Sequence, residues 1–360
     1  SVLVAAALYT PQAMAEFTAV VTGGSTVNGE TVENGTQIVE SGGTAENTII
    51  DNGGHQDVYG TATDTTIRNG GKLIVESSGT AEDTTIYDGG TLSVDSGGNA
   101  TGVDQRDGAA LIATTATGTV VKGQNENGAF SIENGKADNV LLENGGLLTV
   151  VNGTTAKDTT INNGGHQDVV GTATDTTIND GGKQNVFGTA EDTTINNGGK
   201  QYVYGTATDT TIENGGTLSV ASDGNATGVK QEEGAALIAM TSTDTVVKGQ
   251  NENGEFFIEN GQADNVLLEN GGQLTVVNGT TANNTTIRDG GKQNVSGTST
   301  GTKIETGGGQ TVNSGGEDEK AIINGGQQTV KADGKATGAT INSGTQLVQT
   351  DGTAEDTTIY

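Results

Sequence analysis

Short aliphatic runs separated by polar turns recur along the whole chain. Runs such as Thr65-Thr66-Ile67 and Leu73-Ile74-Val75 are rich in β-branched residues and are bounded by Gly, Asn and Asp. Such runs are typical of strands, and the Asn-Gly-Gly corners between them are typical of turns, because Gly and Asn accept a positive φ at little steric cost. No run follows the helical period of about 3.6 residues. The pattern therefore predicts an all-β chain.

One theme of 17 or 19 residues repeats between successive Gly-Gly pairs. It reads GG-x-Q-x-V-x-G-T-A-x-D-T-T-I-x-N-GG, as in residues 53–71 and 181–199. A longer block, residues 91–165, recurs with few changes as residues 217–291. No break in composition separates these units, and no long inserted segment is evident. We expect one continuous array over residues 16–360.

A strand-turn unit of 17 to 20 residues repeated many times predicts a parallel β-helix, a solenoid in which each repeat is one rung. A rung buries about three aliphatic side chains, at roughly 1.5–3 kcal/mol each, whereas ordering its residues costs on the order of 1–2 kcal/mol apiece. Rungs must therefore stack, through hydrogen bonds and side chains that lie on their copies above and below. Roughly 18 rungs spaced about 4.8 Å apart predict a rod near 85 Å long. A propeller is disfavoured, because its repeats are longer and carry aromatic signatures.

The repeat also assigns side chains to the inside and the outside of the solenoid. Thr, Asn, Asp and Glu are expected outside. The expected inward residues are the Val of the Q-x-V run and the Ile of the T-T-I run: Val58, Ile67, Val75, Ile86, Val169, Ile178, Val186, Ile195, Val203 and Ile212.

Composition narrows the possible functions of this 360-residue chain. Only 31% of its residues are hydrophobic and 3% aromatic, while 60 are Gly, so a broad globular core is excluded. A net charge of -29 with 16 dispersed basic residues disfavours nucleic acid as a partner. The absence of Cys excludes disulfides and thiolate metal sites. No cofactor is expected.

The N-terminus differs from the rest of the chain. An apolar run over residues 1–8 is followed by Ala13-Met14-Ala15, an A-x-A site typical of signal-peptide cleavage. Residues 1–15 are therefore predicted to be the C-terminal part of a secretory signal peptide, which would place the mature chain outside the cytoplasm. The alternative is an apolar first strand or cap.

Acidic residues recur once per rung and form a predicted column: Asp64, Asp83, Asp138, Asp158, Asp175, Asp192, Asp209, Asp264 and Asp356. Paired carboxylates could serve glycoside hydrolysis. A catalytic pair is needed only once, however, so a column repeated on every rung favours turn-capping side chains. The T-x-T sets such as Thr61-Ala62-Thr63 raise an ice-binding alternative, which charged interruptions such as Thr80-Ala81-Glu82 weaken.

A polar face repeated in register favours self-association. Weak contacts in one rigid geometry add through effective concentration, and two copies of one rod match automatically. Because like charges oppose this pairing, acid or salt should promote clumping. The candidate self-association face comprises Thr63, Asp64, Thr174, Asp175, Thr208 and Asp209.

The repeat GG-x-Q-x-V…G-x-A-x-D-T-T-I-N-x-GG and the block at residues 123–146 resemble the passenger domains of self-associating autotransporter adhesins, the group of antigen 43, TibA and the adhesin involved in diffuse adherence. The resemblance implies a right-handed, three-stranded parallel β-helix without enzymatic activity. It also implies type V secretion to the outer surface of a Gram-negative bacterium, autoaggregation, biofilm formation and adherence to host cells. The expected partners are a second copy of the chain and the host-cell surface.

Members of this group are also O-glycosylated by a dedicated heptosyltransferase, which the resemblance adds as a partner during biogenesis. The candidate acceptors lie at the turn where the repeat lengthens: Ser41, Ser77, Ser78, Ser96 and Ser314. Residues 16–360 are expected to end before any translocator barrel. The alternative function is a carbohydrate-acting β-helix enzyme, which a long insertion bearing acids and Arg would favour.

Overall fold

The structure, a computed structural model, describes residues 17–360, and the predicted signal segment 1–15 lies outside them. Within residues 17–360 all 51 regular elements are strands. Over that range the chain has no helix that could cross a membrane. The described chain is all-β, as predicted.

The strands follow one another in five stretches. Two of these are single turns of the chain that contain an antiparallel hairpin, and we call them the irregular turns. Before the first irregular turn they are β1 (Phe17–Val21), β2 (Thr26–Asn28), β3 (Thr31–Glu33), β4 (Gly35–Val39), β5 (Thr44–Glu46), β6 (Ile49–Asp51), β7 (His55–Val58), β8 (Thr61–Thr63), β9 (Thr66–Ile67), β10 (Lys72–Val75), β11 (Thr80–Glu82), β12 (Thr85–Ile86), β13 (Thr91–Val94) and β14 (Asn99–Gln105). The first irregular turn holds β15 (Ala110–Thr114), β16 (Val120–Asn125), β17 (Gly128–Glu133), β18 (Lys136–Asp138) and β19 (Leu141–Leu142). The middle stretch holds β20 (Leu147–Val150), β21 (Thr155–Lys157), β22 (Thr160–Ile161), β23 (His166–Val169), β24 (Thr172–Thr174), β25 (Thr177–Ile178), β26 (Lys183–Val186), β27 (Thr189–Glu191), β28 (Thr194–Ile195), β29 (Lys200–Val203), β30 (Thr206–Thr208), β31 (Thr211–Ile212), β32 (Thr217–Val220) and β33 (Asn225–Gln231). The second irregular turn holds β34 (Ala236–Met240), β35 (Val246–Asn251), β36 (Gly254–Glu259), β37 (Gln262–Asp264) and β38 (Leu267–Leu268). The last stretch holds β39 (Gln273–Val276), β40 (Thr281–Asn283), β41 (Thr286–Ile287), β42 (Lys292–Val295), β43 (Thr298–Thr300), β44 (Lys303–Glu305), β45 (Gly309–Val312), β46 (Glu317–Glu319), β47 (Ile322–Val330), β48 (Lys335–Thr337), β49 (Thr340–Val348), β50 (Thr353–Glu355) and β51 (Thr358–Ile359).

These strands wind into a parallel β-solenoid of about 19 turns with about 18 residues in each. A regular turn has three faces, and we name each face after the residue that it directs into the core. The glutamine face comes from the x-Q-x-V run, as in β23, the alanine face from T-A-x, as in β24, and the isoleucine face from T-I, as in β25. Successive turns stack in parallel and in register, so that β23 pairs with β26 and β26 with β29. The predicted parallel β-helix is confirmed.

The predicted inward residues are all buried, with at most 1% of their surface exposed. The prediction that Thr lies outside is wrong at one position of each repeat. The first Thr of the D-T-T-I run points inward, so Thr65 and Thr176 are each only 1% exposed. The Gln of the Q-x-V run is also buried, and Gln184 Nε2 donates to Thr176 Oγ1 at 3.2 Å. Hydrogen bonds between the buried Thr and Gln columns offset the free-energy cost of burying these polar side chains.

The buried glutamines form a ladder along the solenoid axis. Gln184 Nε2 donates to Gln167 Oε1 at 2.8 Å, and Gln201 Nε2 donates to Gln184 Oε1 at 2.7 Å. In the duplicated blocks Leu takes this inward position, as at Leu148 and Leu274, which are fully buried. At this inward position the core is therefore apolar in the duplicated blocks and amide-bonded between them.

Two antiparallel hairpins interrupt the array, and the expectation that no long insertion is present is wrong. In the first, β17 pairs antiparallel with both β16 and β18. On the glutamine face β15 pairs directly with β20, so the alanine face gains two strands that the glutamine face lacks. Strands β35, β36 and β37 repeat the arrangement in the second copy. The Asn127-Gly128 dipeptide, a typical hairpin turn, was the sequence signal.

The predicted acidic column is corrected at two positions. Asp64 and Asp175 occupy a turn with φ of 52° and 54°, but at Asp138 and Asp264 the turn residue is the next one, Asn139 or Asn265. Asp138 and Asp264 instead end strands β18 and β37. At this corner the backbone makes the inter-turn bond, since the Asp64 amide donates to the Glu82 carbonyl at 3.0 Å. Tolerance of positive φ, rather than side-chain capping, explains the Asp and Asn here.

Candidate interaction surface

The outer side of the alanine face presents two ranks of side chains that run along the rod. Because Cβ atoms alternate across a strand, the central Ala of each T-A-x strand points inward and its two neighbours point outward. In β24, Ala173 is fully buried while Thr172 and Thr174 are half-buried. In-register pairing continues both ranks from turn to turn. The result is a flat, repeating polar surface.

The predicted self-association residues lie on this face or at its adjoining corner, but they do not form one continuous patch. Thr174 and Thr208 are two turns apart, with Glu191 paired between them. Thr63 lies in the first stretch, between Glu46 and Glu82. The three Thr side chains are half-buried, and at the adjoining corner Asp64, Asp175 and Asp209 are exposed. The rank therefore alternates hydroxyl and charged groups.

The predicted acceptor serines all lie in exposed turns between the glutamine and alanine faces: Ser41, Ser77, Ser78, Ser96 and Ser314. Ser77 and Ser96 occupy the same corner of adjacent turns, and the Ser78 amide donates to the Gly97 carbonyl at 3.0 Å. Further exposed hydroxyls in turns at this corner were missed, among them Thr117, Ser222, Thr243 and Thr350. Ser222 is the counterpart of Ser96 in the longer duplication, so the repeat itself was the signal.

Exposed apolar side chains occupy the same corner where the turn is short. Val170, Phe187 and Tyr204 lie on consecutive turns and are 45%, 51% and 46% exposed. The rings of Phe187 and Tyr204 stack with centroids 5.0 Å apart and planes 9° apart. Sequence reasoning missed this ridge, although the V-x-G corner with an apolar x was its signal.

Neighbouring acidic side chains also raise pKa values at this corner. Burial, together with repulsion from Asp95 and Asp57, raises the pKa of Glu76. Glu76 in turn raises the pKa of Tyr59 on the neighbouring turn. Stacked turns thus bring like charges together.

At the second hairpin three charged side chains form a compact cluster. Arg288 lies 2.8 Å from Glu252 (Nη1 to Oε1) and 2.9 Å from Glu269 (Nε to Oε2). The Glu269 side chain is only 3% exposed and also accepts a hydrogen bond from the Gly234 amide at 2.7 Å. Although burial opposes its charge, hydrogen bonds and attraction from the two carboxylates raise the pKa of Arg288.

The first hairpin carries the same carboxylates without the arginine. Glu143 accepts from the Gly108 amide at 2.8 Å and from Asn162 Nδ2 at 3.4 Å. Burial is the main cause that raises the pKa of Glu143, and nearby Glu126 adds to it. Across residues 17–360 no group of three His, Cys, Asp or Glu side chains is placed to hold a metal ion.

The geometry defines an elongated β-solenoid whose outer surface repeats from turn to turn. The sequence profile of the family AIDA, described as "Adhesin of bacterial autotransporter system, probable stalk", matches residues 20–71, 60–109, 122–182 and 248–308. These segments cover more than half of the chain, which therefore belongs to this family of autotransporter adhesin stalks. Such adhesins are secreted to the outer membrane and cell surface of Gram-negative bacteria, and this is the location of the chain.

Individual relatives agree with this assignment over shorter segments. The chain is 53% identical over 134 residues, 36% of its length, to the probable autotransporter YpjA of Escherichia coli strain K12. It is 53% identical over 55 residues, 15% of its length, to the autotransporter adhesin/invasin TibA of Escherichia coli O78:H11. The aligned parts span only 9% of YpjA and 6% of TibA. The crystal structure of a TibC-catalysed, hyper-glycosylated TibA fragment aligns over 94% of this chain and 100% of that fragment, with 28% identity and a TM-score of 0.32.

Proposed function

We propose that the chain is an adhesive stretch of an autotransporter passenger that joins cells by contacts between copies of itself and attaches them to host cells. Membership of the adhesin stalk family supports the class of function. The observation that carries self-association is the in-register outer rank of the alanine face, which two copies can match along their length. Each contact is weak, and their number supplies the affinity.

Sedimentation of bacteria that display the chain tests this proposal. Cells that do not clump on their own should settle once they carry it, and settle faster in acid or high salt, because both reduce repulsion between rods of charge -29. A triple variant, Thr63→Arg, Thr174→Arg and Thr208→Arg, should slow settling.

The matched control places the same three changes on the glutamine face, at the half-buried Thr149, Thr275 and Thr311. It adds the same charge and should leave settling unchanged. Equal effects of the two variants, or no settling of the parent cells, would contradict self-association through the alanine face.

We also propose that a heptosyltransferase modifies the exposed corner hydroxyls. Support comes from the exposure of five serines in turns: Ser41, Ser77, Ser78, Ser96 and Ser314. Intact-mass measurement of the chain produced with and without such an enzyme should show added heptoses. Replacing the five serines with Ala should remove most of them, and an unchanged pattern would rule these sites out.

The second hairpin gives a specific reason to test the enzymatic alternative. It is an insertion that carries acids beside Arg288, although the arginine and carboxylates neutralise one another in ion pairs. The purified chain should release no reducing sugar from polysaccharides. Release that Glu252→Gln abolishes would replace the adhesive proposal with a glycosidase.

A further inference from the structure

An open groove of about 540 Å³ lies beside the second hairpin, where the alanine face meets the isoleucine face. It crosses three strands, β33, β35 and β36, and its volume falls in the range of small-molecule sites. All three strands are paired on both sides, so the groove offers no free strand edge to a peptide. Recognition here must come from side chains.

The floor of the groove is bare backbone because two glycines, each with little room for a side chain, form it. A Cβ added to Gly249 would lie 2.0 Å from the Val229 carbonyl oxygen. A Cβ on Gly228 would lie 2.2 Å from Asp209 Oδ1, and φ at Gly228 is +67°. The pairing of β33 with β35 shifts register between Ala226 and Val229 at this point. The concavity is therefore built into the fold.

Two aromatic residues line the groove beside paired charged groups, but Phe256 is only 3% exposed, so Phe257 supplies the accessible ring. Phe257 is half-buried and pairs across the hairpin with Lys248, whose Nζ lies 2.7 Å from Glu259 Oε2. Two positions along the hairpin, Gln250 pairs with Glu255. The lining holds two Lys and two Glu, so the groove is electrically balanced on a chain of net charge -29.

The first hairpin has the same groove without the aromatic wall. Its volume is about 520 Å³, and its lining includes Lys122, Gly123 and Gln124, the counterparts of Lys248, Gly249 and Gln250. Ser131 stands where the second copy has Phe257, and Ala129 where it has Glu255. Neither short side chain lines the first groove.

We propose that the groove of the second hairpin binds a neutral oligosaccharide, with Phe257 as the platform for a sugar ring. An aromatic face packs against the apolar C–H face of a sugar, while amide, ammonium and carboxylate groups at the rim pair with its hydroxyls. The balanced lining favours an uncharged ligand over an anionic one. The site deepens the proposed adhesion to host cells and rests on that function for its setting.

An array of neutral and sialylated or sulfated glycans, followed by calorimetry with the strongest neutral binder, tests the proposal on the whole chain. The chain should bind one neutral oligosaccharide per molecule and leave the anionic glycans unbound. Phe257→Ser, which installs the residue of the first copy, should weaken binding at least tenfold with an unchanged circular dichroism spectrum. Ala129→Glu with Ser131→Phe should raise the stoichiometry from one to two.

Absence of any neutral glycan binder, equal binding by Phe257→Ser, or binding confined to anionic glycans would overturn the proposal. Settling of displayed cells separates it from self-association. Phe257→Ser should lose glycan binding while cells still clump, because the rank around Thr174 and Thr208 is untouched. A parent chain that binds the glycan but does not make cells clump would instead count against self-association alone.

Discussion

The two copies of the long duplication surround the same buried carboxylate with different partners. Residues 91–165 and 217–291 build the same hairpin, yet the first holds Glu143 with neutral donors and the second holds Glu269 with Arg288. Position 162 is Asn in the first copy and its counterpart is Arg288 in the second. The same backbone thus accepts a buried carboxylate with or without a counter-ion. The difference teaches that strand pairing fixes the fold, while the charge balance beneath the hairpin is free to vary.

The largest expected effect comes from removing the counter-ion. Arg288→Asn copies the first hairpin into the second and leaves Glu269 buried beside Glu252, which should destabilise this region by about 2–4 kcal/mol. Hydrogen exchange should show faster opening of residues 246–291, because opening in a solenoid is local. The first hairpin, residues 120–165, serves as the internal control. Unchanged protection would show that the ion cluster contributes nothing.

The reverse exchange should have the opposite, smaller effect. Asn162→Arg gives Glu143 and Glu126 a partner and should stabilise the first hairpin by about 1 kcal/mol, because ordering a long side chain offsets part of the attraction. Slower hydrogen exchange of residues 120–165 would be the measured outcome. Asn162→Gln, which adds length without charge, is the matched control. Equal effects from the two would contradict an electrostatic cause.

The pH dependence of the first hairpin should reveal Glu143. Since burial raises the pKa of Glu143, the folded state holds this proton to higher pH than the unfolded state, whose value is about 4.3. The contribution to stability is therefore greatest below that pH and falls as pH rises through the folded-state pKa. Protection of residues 128–147 should decline with rising pH in the wild type more steeply than in Glu143→Gln. Parallel pH profiles would remove Glu143 as the cause.

The smallest effect is expected from the exposed ion pairs. The first copy pairs Arg106 with Asp104, whereas the second pairs Lys230 with Glu232 in the opposite order. Changing Lys230→Asp and Glu232→Arg together should leave the melting temperature unchanged within the error of the measurement, because exposed pairs contribute little. A larger shift would mean that this surface pair supports the hairpin.

The regular turns could be predicted from the sequence because one period fixes both the strands and their stacking. Val58 and Ile67 were assigned inward from their position in the repeat, and both are fully buried. The inward Thr65 and Gln56 could not be assigned from polarity alone. Their burial depends on neighbours in the next turn, which only the register brings together.

The hairpins and their clusters were harder to predict. Strands β16 and β17 alternate like any rung, so period and composition do not reveal that the chain reverses. Spacing along the sequence does not predict the contact between Arg288 and Glu252 either, because that contact depends on how far the hairpin folds over the next turn. The two outer ranks of the alanine face, by contrast, followed from the repeat. Glu191, which lies between Thr174 and Thr208, shows that the residue type along a rank is not uniform.

The hydrogen bonds between turns run along the length of the rod, and this has a mechanical consequence. Each turn is bonded only to its two neighbours, as β26 is to β23 and β29. Tension applied at the ends therefore loads these bonds one layer at a time instead of shearing many together. When flowing liquid pulls on a cell that the stalk holds, single turns would detach one after another, and each would release about 60 Å of extended chain. The stalk would therefore lengthen and limit the force before its attachments broke.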